Sequence, residues 1–302
     1  MQNWKKLGQI YHCMAIDKYL LSHASNPLAV HLRDDVYRVF FSGRDSSNKS
    51  SVGYVDIDIL KHEVVSCCDE VVFKNGPEDS FYSHGVSIGN MYEVDTKNYI
   101  QFMAWQIRNN SHWRGDIGRL SIDANLEKIT LDPNCVYIGC DNEDSISLSY
   151  SCVLYDDGIY KMWYGSTVDW NSENGEMIHV IKYATSHNGE QWQKHGLAIP
   201  YEIGVAQAFS RPTVVRDSYG YHMWFSYRSG DGTKYRIGYA HSNDGISWDR
   251  KQDSGIDVSE RGWDSEMICY PFVFDHKGKR YMLYNGNDYG KTGFGLAVLE
   301  NK

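Results

Sequence analysis

No stretch of these 302 residues stays apolar long enough to cross a bilayer. Nothing behind Met1-Gln2-Asn3-Trp4-Lys5-Lys6 reads as the apolar run of a signal peptide. A basic surplus is missing as well. The 30 Lys and Arg stand against 39 Asp and Glu, a formal charge of −9, whereas a nucleic-acid partner calls for a basic stripe. The seven cysteines are odd in number and lack metal-finger spacing: Cys67 and Cys68 are adjacent, while Cys135 and Cys140 stand alone. These absences predict a cytoplasmic protein with reduced thiols, no structural metal, no cofactor, and neither membrane nor nucleic acid as a partner.

Aromatic residues are plentiful. The 23 Tyr and 9 Trp suit strands and also sugar-facing surfaces. They recur in a pattern. Residues 237–248 and 181–192 share Tyr-Ala-x-Ser-x-Asp/Asn-Gly-x-x-Trp, a strand, a tight turn and a second strand. Upstream of each lies a further shared line, residues 212–225 and 151–164, with more copies at 271–284, 27–41 and, more divergently, 85–103. The copies start at Pro27, Gly85, Ser151, Pro212 and Pro271, about 60 residues apart. Five units of roughly four strands predict an all-β, five-bladed β-propeller forming one domain over residues 1–302. The blades fall near 21–75, 79–135, 144–200, 206–258 and 264–302. The last unit lacks a fourth strand, and residues 4–10 read like 192–198, the fourth strand of the third unit. Residues 1–12 are therefore expected to complete the last blade and close the ring.

In a propeller the first strand of each blade lines the axis, and the second returns to the face where the first began. Residues just before the five starts and just after the second strands should thus gather at one mouth. The first set is Asn26, His84, Tyr150, Arg211 and Tyr270; the second includes Arg44, Asp45, Arg228, Asn285 and Asn287. These are the candidate substrate-binding residues. Arg211 directly precedes Pro212, which predicts an extended backbone and an aimed side chain. Acids stand slightly upstream: Glu78 and Asp79, Asp144, Asp264 and Glu266. Carboxylates at such a mouth suit glycosidic cleavage, which generally takes two of them. Asp79 and Glu266 form the first candidate pair, with Asp264 orienting Glu266. Plainer readings stand beside these. Asp79 suits a turn, Glu266 a structural ion pair, Arg211 an inter-blade bridge, His84 a satisfied core position, and Arg44 with Asp45 an internal pair. The Ser-x-Asp/Asn-Gly-x-x-Trp turns belong on the opposite face, with Trp192 and Trp248 packed between blades.

The same turns, with the Pro-x-Val-x-Asp-x-Gly-x-Tyr-x-Met-Trp-Tyr units, resemble the five-bladed propeller glycosidases over essentially the whole chain. These comprise the arabinanase and xylosidase group (glycoside hydrolase family 43), the invertase group (family 32) and the mannoside phosphorylases (family 130). Residues 263–287 also resemble uncharacterised propeller proteins that accompany bacterial surface-polysaccharide assembly. The resemblance implies an enzyme that cleaves or transfers a glycosidic bond of an oligosaccharide at the axial mouth. One departure matters: arabinanases and invertases carry a catalytic Asp before the first Pro, and here that position is Asn26. The mannoside phosphorylases lack that arrangement and gather cations for phosphate. Arg44, Arg211, Arg228 and His84 resemble such a cluster, and an anionic sugar explains the arginines equally well. A glycan-binding propeller without turnover, or a glycoside phosphorylase, are the alternatives.

Overall fold

The computed structural model describes residues 2–107, 111–132 and 136–300; Cys135 lies outside the described residues. The described chain is almost entirely β. Strand β1 (Trp4–Tyr11) comes first. Four strands then form a first meander, β2 (Ser22–Arg33), β3 (Val36–Arg44), β4 (Ser50–Asp58) and β5 (Glu63–Cys67). A second follows in β6 (Gly85–Val94), β7 (Lys97–Ile107), β8 (Trp113–Ile122) and β9 (Ile129–Leu131). The third contains β10 (Ser147–Asp156), β11 (Ile159–Asp169), β12 (Ile178–Ser186) and β13 (Gln193–Leu197). The fourth contains β14 (Ser210–Asp217), β15 (Gly220–Tyr227), β16 (Arg236–Ser242) and β17 (Asp249–Lys251). The chain ends with β18 (Cys269–His276), β19 (Lys279–Asn285) and β20 (Phe294–Leu299).

Within each meander neighbours pair antiparallel in sequence order. The fourth place in the last sheet is taken by β1, which pairs antiparallel with β20 from Trp4↔Leu299 to Tyr11↔Phe294, as the sequence predicts. One parallel bridge, Ser50↔Gly85, pairs the strands of the first two meanders.

Burial explains how the sheets sit together. The first strands contact one another in a cycle, β2 with β6, β6 with β10, β10 with β14, β14 with β18, and β18 with β2. Apolar residues on alternate faces of each sheet fill the space between neighbours. Leu148, Met162 and Ile117 cluster between the second and third meanders. Trp163, Ile181 and Met223 do so between the third and fourth, and Trp224, Met282 and Trp4 between the fourth and the last. One larger cluster with Phe40, Phe102 and Leu283 covers both flanks of the first.

The turns do what their sequence predicts. In residues 242–248, the Ser242 hydroxyl accepts from the N–H of Gly245 at 2.8 Å, and Asp244 accepts from Ile246 and Ser247, both at 2.8 Å. Gly245 has φ +76°, a left-handed geometry a side chain would strain. Its carbonyl accepts from the indoles of Trp248 in its own meander and Trp163 in the one before, each at 3.0 Å. Trp192 likewise donates to Tyr137 Oη, at 2.7 Å, across the preceding interface.

One expectation fails at the inner strands. Arg211 has φ +49°, not an extended backbone, and Asn26 (+57°) and Tyr270 (+54°) share this geometry, each directly before a proline. The pairing register skips at the same three places, between Ser25 and Leu28, Ser210 and Thr213, and Cys269 and Phe272. Each is a bulge that bends the strand and re-aims a side chain. Left-handed non-glycine residues cost on the order of 1–3 kcal/mol apiece and collect at functional sites.

Candidate functional site

A cavity of about 460 Å³ opens where the expected mouth lies, within the usual size range of small-molecule sites. Starts of first strands supply Asn26, Tyr150 and Tyr270. Ends of second strands supply Arg44, Trp105 and Arg228, and the third strands and the loops before them supply Trp113, His179 and Tyr235. Six serine hydroxyls add a polar lining: Ser25, Ser42, Ser50, Ser87, Ser149 and Ser210. Among the described residues, no lining residue is an aspartate or glutamate.

The aromatic walls are stacked in groups. Tyr150 lies 5.6 Å from Tyr270, which lies 6.3 Å from Tyr235 and 6.4 Å from Tyr289. Burial raises the Tyr150, Tyr235 and Tyr270 phenols above their ordinary value, so they remain hydrogen-bond donors at neutral pH. On the other side His112 stacks on Trp170 at 4.7 Å, and Trp113 meets Trp170 edge-on at 4.9 Å. Such rings offer wide apolar contact area with polar tips.

Among the described residues, two arginines face the cavity, with different surroundings. Arg228 donates from Nη2 to Glu176 at 2.8 Å, lies over Tyr235 at 4.8 Å, and has a buried Nε without a partner. Arg44 is half-buried and, among the described residues, has no ion pair. Nearby His23 is lowered to about 4, first by burial and then by Arg44 and Lys291, with the Asp288 carboxylate opposing them. The buried Oδ1 of Asn26 also lacks a partner.

Thus Asn26, Arg44, Tyr150, Arg228 and Tyr270 are brought together, and the other candidates are not. Arg211 is 2% exposed and donates from Nη1 to the carbonyls of Tyr270 (3.0 Å) and Pro271 (3.1 Å), and from Nη2 to those of Pro27 (2.8 Å) and Gly89 (3.4 Å). It ties three inner strands together instead of meeting a ligand. Asn285 is fully buried, accepting from the Asn26 N–H and donating to the Ala24 and Gly293 carbonyls. Asn287 accepts from the N–H groups of Glu266 and Met267. Asp45 caps its own turn through Ser47 and Lys49. His84 Nδ1 accepts from the Ile107 N–H and contacts the Ser83 hydroxyl, just outside the cavity.

The expected acids stand apart from the cavity. Asp79 is exposed in the turn closed by Ser80 N–H to Pro77. The Glu266 side chain is 59% exposed and pairs with Lys234. Asp264 is buried, accepting from Lys6 at 2.8 Å and Tyr284 at 3.1 Å. Its repeat equivalent Asp144 accepts from Lys194 and Tyr164 in the same way. Asp264 is therefore part of a device that fastens the outer strand of a sheet, and in the last sheet that strand is β1.

Sequence reasoning missed the serines, although one signal marks them. The residue two before the start of each copy is Ser25, Ser83, Ser149, Ser210 and Cys269. Three of these five line the cavity. His112, Trp113, His179 and Tyr289 come from loops and third strands, for which the repeat has no fixed polar column.

No protein-family model matches the chain. Two proteins of Mycobacterium tuberculosis do: uncharacterized protein MT1551 from strain CDC 1551 / Oshkosh and uncharacterized protein Rv1502 from strain H37Rv. Each is 40% identical over 303 residues, covering 99% of this chain and 99% of its own. The chain belongs to their family. Among solved structures, the BT0996 RGII complex superposes with a TM-score of 0.75 at 11% identity, covering 98% of this chain and 91% of its own. A structure from the GH130 family of mannoside phosphorylases, which contains glycoside hydrolases targeting β-1,2 mannosidic linkages, superposes at 0.66 with 15% identity, over 99% and 90%. Such likenesses establish a shared fold. No helix among the described residues is long and apolar enough to cross a membrane, and no cluster of metal-ligating side chains is found among them. The six described cysteines are free thiols.

Proposed function

We propose that the protein is a single-domain, five-bladed propeller, closed by its N-terminal strand, that takes an anionic carbohydrate into its axial cavity and acts on a glycosidic bond there. The observation that carries this reading is the composition of the cavity: aromatic walls, serine hydroxyls and an Arg44 guanidinium without a carboxylate partner. Flat rings take the apolar faces of sugars, hydroxyls read their oxygens, and a forked guanidinium suits a carboxylate or phosphate. The carboxylate bonded to this lining is Glu176, through Arg228. Glu176 takes the general-acid role, protonating the leaving oxygen while phosphate, or water whose proton passes to solvent, attacks the anomeric carbon.

One observation favours recognition without turnover, namely a lining free of Asp and Glu. The deciding experiment is a turnover screen on neutral and acidic oligosaccharides, with and without phosphate, alongside calorimetric binding. Wild type, Glu176→Gln and Glu266→Gln are compared. The enzymatic reading expects turnover that falls about 100-fold or more in Glu176→Gln and survives in Glu266→Gln. Binding of acidic sugars with no turnover in any variant moves the reading to a recognition propeller. No binding of any sugar overturns both.

A further inference from the structure

The cavity lacks carboxylates, yet it holds a nucleophile beside a base. Ser149 Oγ lies 2.6 Å from His179 Nε2, and His179 Nδ1 lies 2.8 Å from Thr167 Oγ1. Ser149 and His179 both line the cavity. The three side chains sit on neighbouring strands of one sheet. Ser149 on β10 faces Gly165 on β11, and Thr167 on β11 faces His179 on β12. The imidazole reaches Ser149 by crossing over Gly165. A Cβ there would come within 2.6 Å of His179 Nε2, and closer still to Ser149 Oγ. Glycine at 165 is what allows the contact.

The chain Thr–His–Ser has the arrangement of an activated nucleophile: a hydroxyl within reach of a base, and a third group orienting that base. With Thr167 accepting from Nδ1–H, the lone pair of Nε2 points at the Ser149 hydroxyl. Burial lowers His179 to about 3, so its ring is neutral and that lone pair free at physiological pH. The pairing register skips Tyr150, between Ser149↔Gly165 and Ser151↔Tyr164. A bulged residue makes no regular ladder bonds, which leaves the Tyr150 N–H next to Ser149 as a candidate donor for a developing oxyanion.

We propose that Ser149 and His179 form an acyl-transfer site that removes short ester groups from the hydroxyls of the bound sugar. Ser149 Oγ attacks the ester carbonyl, and its proton passes to His179 Nε2. The bond from acyl carbon to sugar oxygen breaks, and His179 returns the proton to the departing oxygen. Water then attacks the acyl-serine, giving a proton to Nε2 that returns to Ser149 Oγ as the carboxylic acid leaves. The net change is ester plus water to acid plus alcohol. That the acyl carrier is a sugar rests on the reading of the cavity above; the activation of Ser149 does not.

The test uses the full chain with p-nitrophenyl acetate and, separately, a fluorophosphonate probe mapped by peptide mass spectrometry. A nucleophilic Ser149 gives stoichiometric release of p-nitrophenol and a phosphonylated Ser149. Ser149→Ala abolishes both, and His179→Gln slows acylation roughly 100- to 10,000-fold. Because the label is mapped in the wild type, the result stands even if a variant folds poorly. Release without labelling at Ser149, or no labelling at all, overturns the proposal. Neither readout contains a glycan, so that failure leaves the carbohydrate reading untouched. A labelled Ser149 without hydrolysis of O-acetylated methyl glycosides leaves the nucleophile and removes the sugar-ester assignment.

Discussion

Arg211 and Arg44 carry the same guanidinium, and the sequence offers both for the same mouth, but their surroundings differ. Arg211 is enclosed among inner strands and its Nη atoms are bonded to four carbonyls. Arg44 stands at the end of a second strand, half-buried and, among the described residues, without an ion pair. The bulges at Asn26, Arg211 and Tyr270 account for much of the contrast. They turn these residues away from extended geometry, so that Asn26 and Tyr270 line the cavity while Arg211 reaches the carbonyls of neighbouring inner strands. A cation whose Nη donors are bonded to backbone carbonyls, as in Arg211, acts in folding, and one left without an ion pair is available to a ligand.

Substituting Arg211 should break the comparison most strongly. Arg211→Met leaves buried carbonyls of β2, β6 and β18 without donors, and each such loss costs about 1–3 kcal/mol. We expect a destabilisation of about 3 kcal/mol or more by urea unfolding. A loss under about 0.5 kcal/mol, with weakened sugar binding instead, would return Arg211 to the ligand.

Arg44→Ala should show the opposite profile. Stability should stay within about 0.5 kcal/mol of wild type, as for positions outside packed networks. Affinity for an acidic oligosaccharide should fall by about 2 kcal/mol, near 30-fold, as for loss of a charge-assisted pair. Affinity for the neutral analogue should hardly move. Equal losses for both sugars would remove the anionic assignment and leave Arg44 as general lining.

What was legible follows the same division. The repeat exposed the strand order, the Trp-bearing turns and the pairing of β1 with the last sheet, because each is written several times in one register. It also located the mouth, since strand direction alone brings Asn26, Tyr150 and Arg228 together. It did not reveal which side chains a bulge redirects. A proline normally keeps the preceding residue extended, and three residues here do otherwise. Nor did it separate Asp264 from a catalytic acid, although the likeness of residues 4–10 to 192–198 already aligned Lys6 with Lys194, and with it Asp264 with Asp144. Glu266, the other member of the candidate pair with Asp79, pairs with Lys234 and faces solvent, the plainer reading of that residue.

The smallest expected effect concerns the pH dependence of the open region. His179 is buried and lowered to about 3, from an ordinary 6.5 that it regains on unfolding. Between those values the unfolded chain binds a proton that the folded chain does not, so acid favours unfolding and stability rises with pH. The contribution is fully present above about 6.5 and is lost as pH falls toward 3. From pH 7 to 5.5 this histidine alone should cost about 1 kcal/mol. His23, lowered to about 4, adds in the same direction, whereas Asp144, held near 2 despite burial by its bonds to Lys182 and Lys194, acts only below the ordinary carboxylate range. The useful quantity is therefore a difference of slopes. In His179→Gln the loss of stability between pH 7 and 5.5 should shrink by about 1 kcal/mol, whatever the variant's absolute stability. An unchanged slope would mean that His179 binds its proton equally well in the folded and unfolded chain. Its Nε2 would then become a donor to Ser149 as pH falls through the ordinary imidazole range, and the Ser149 nucleophile would lose its base there.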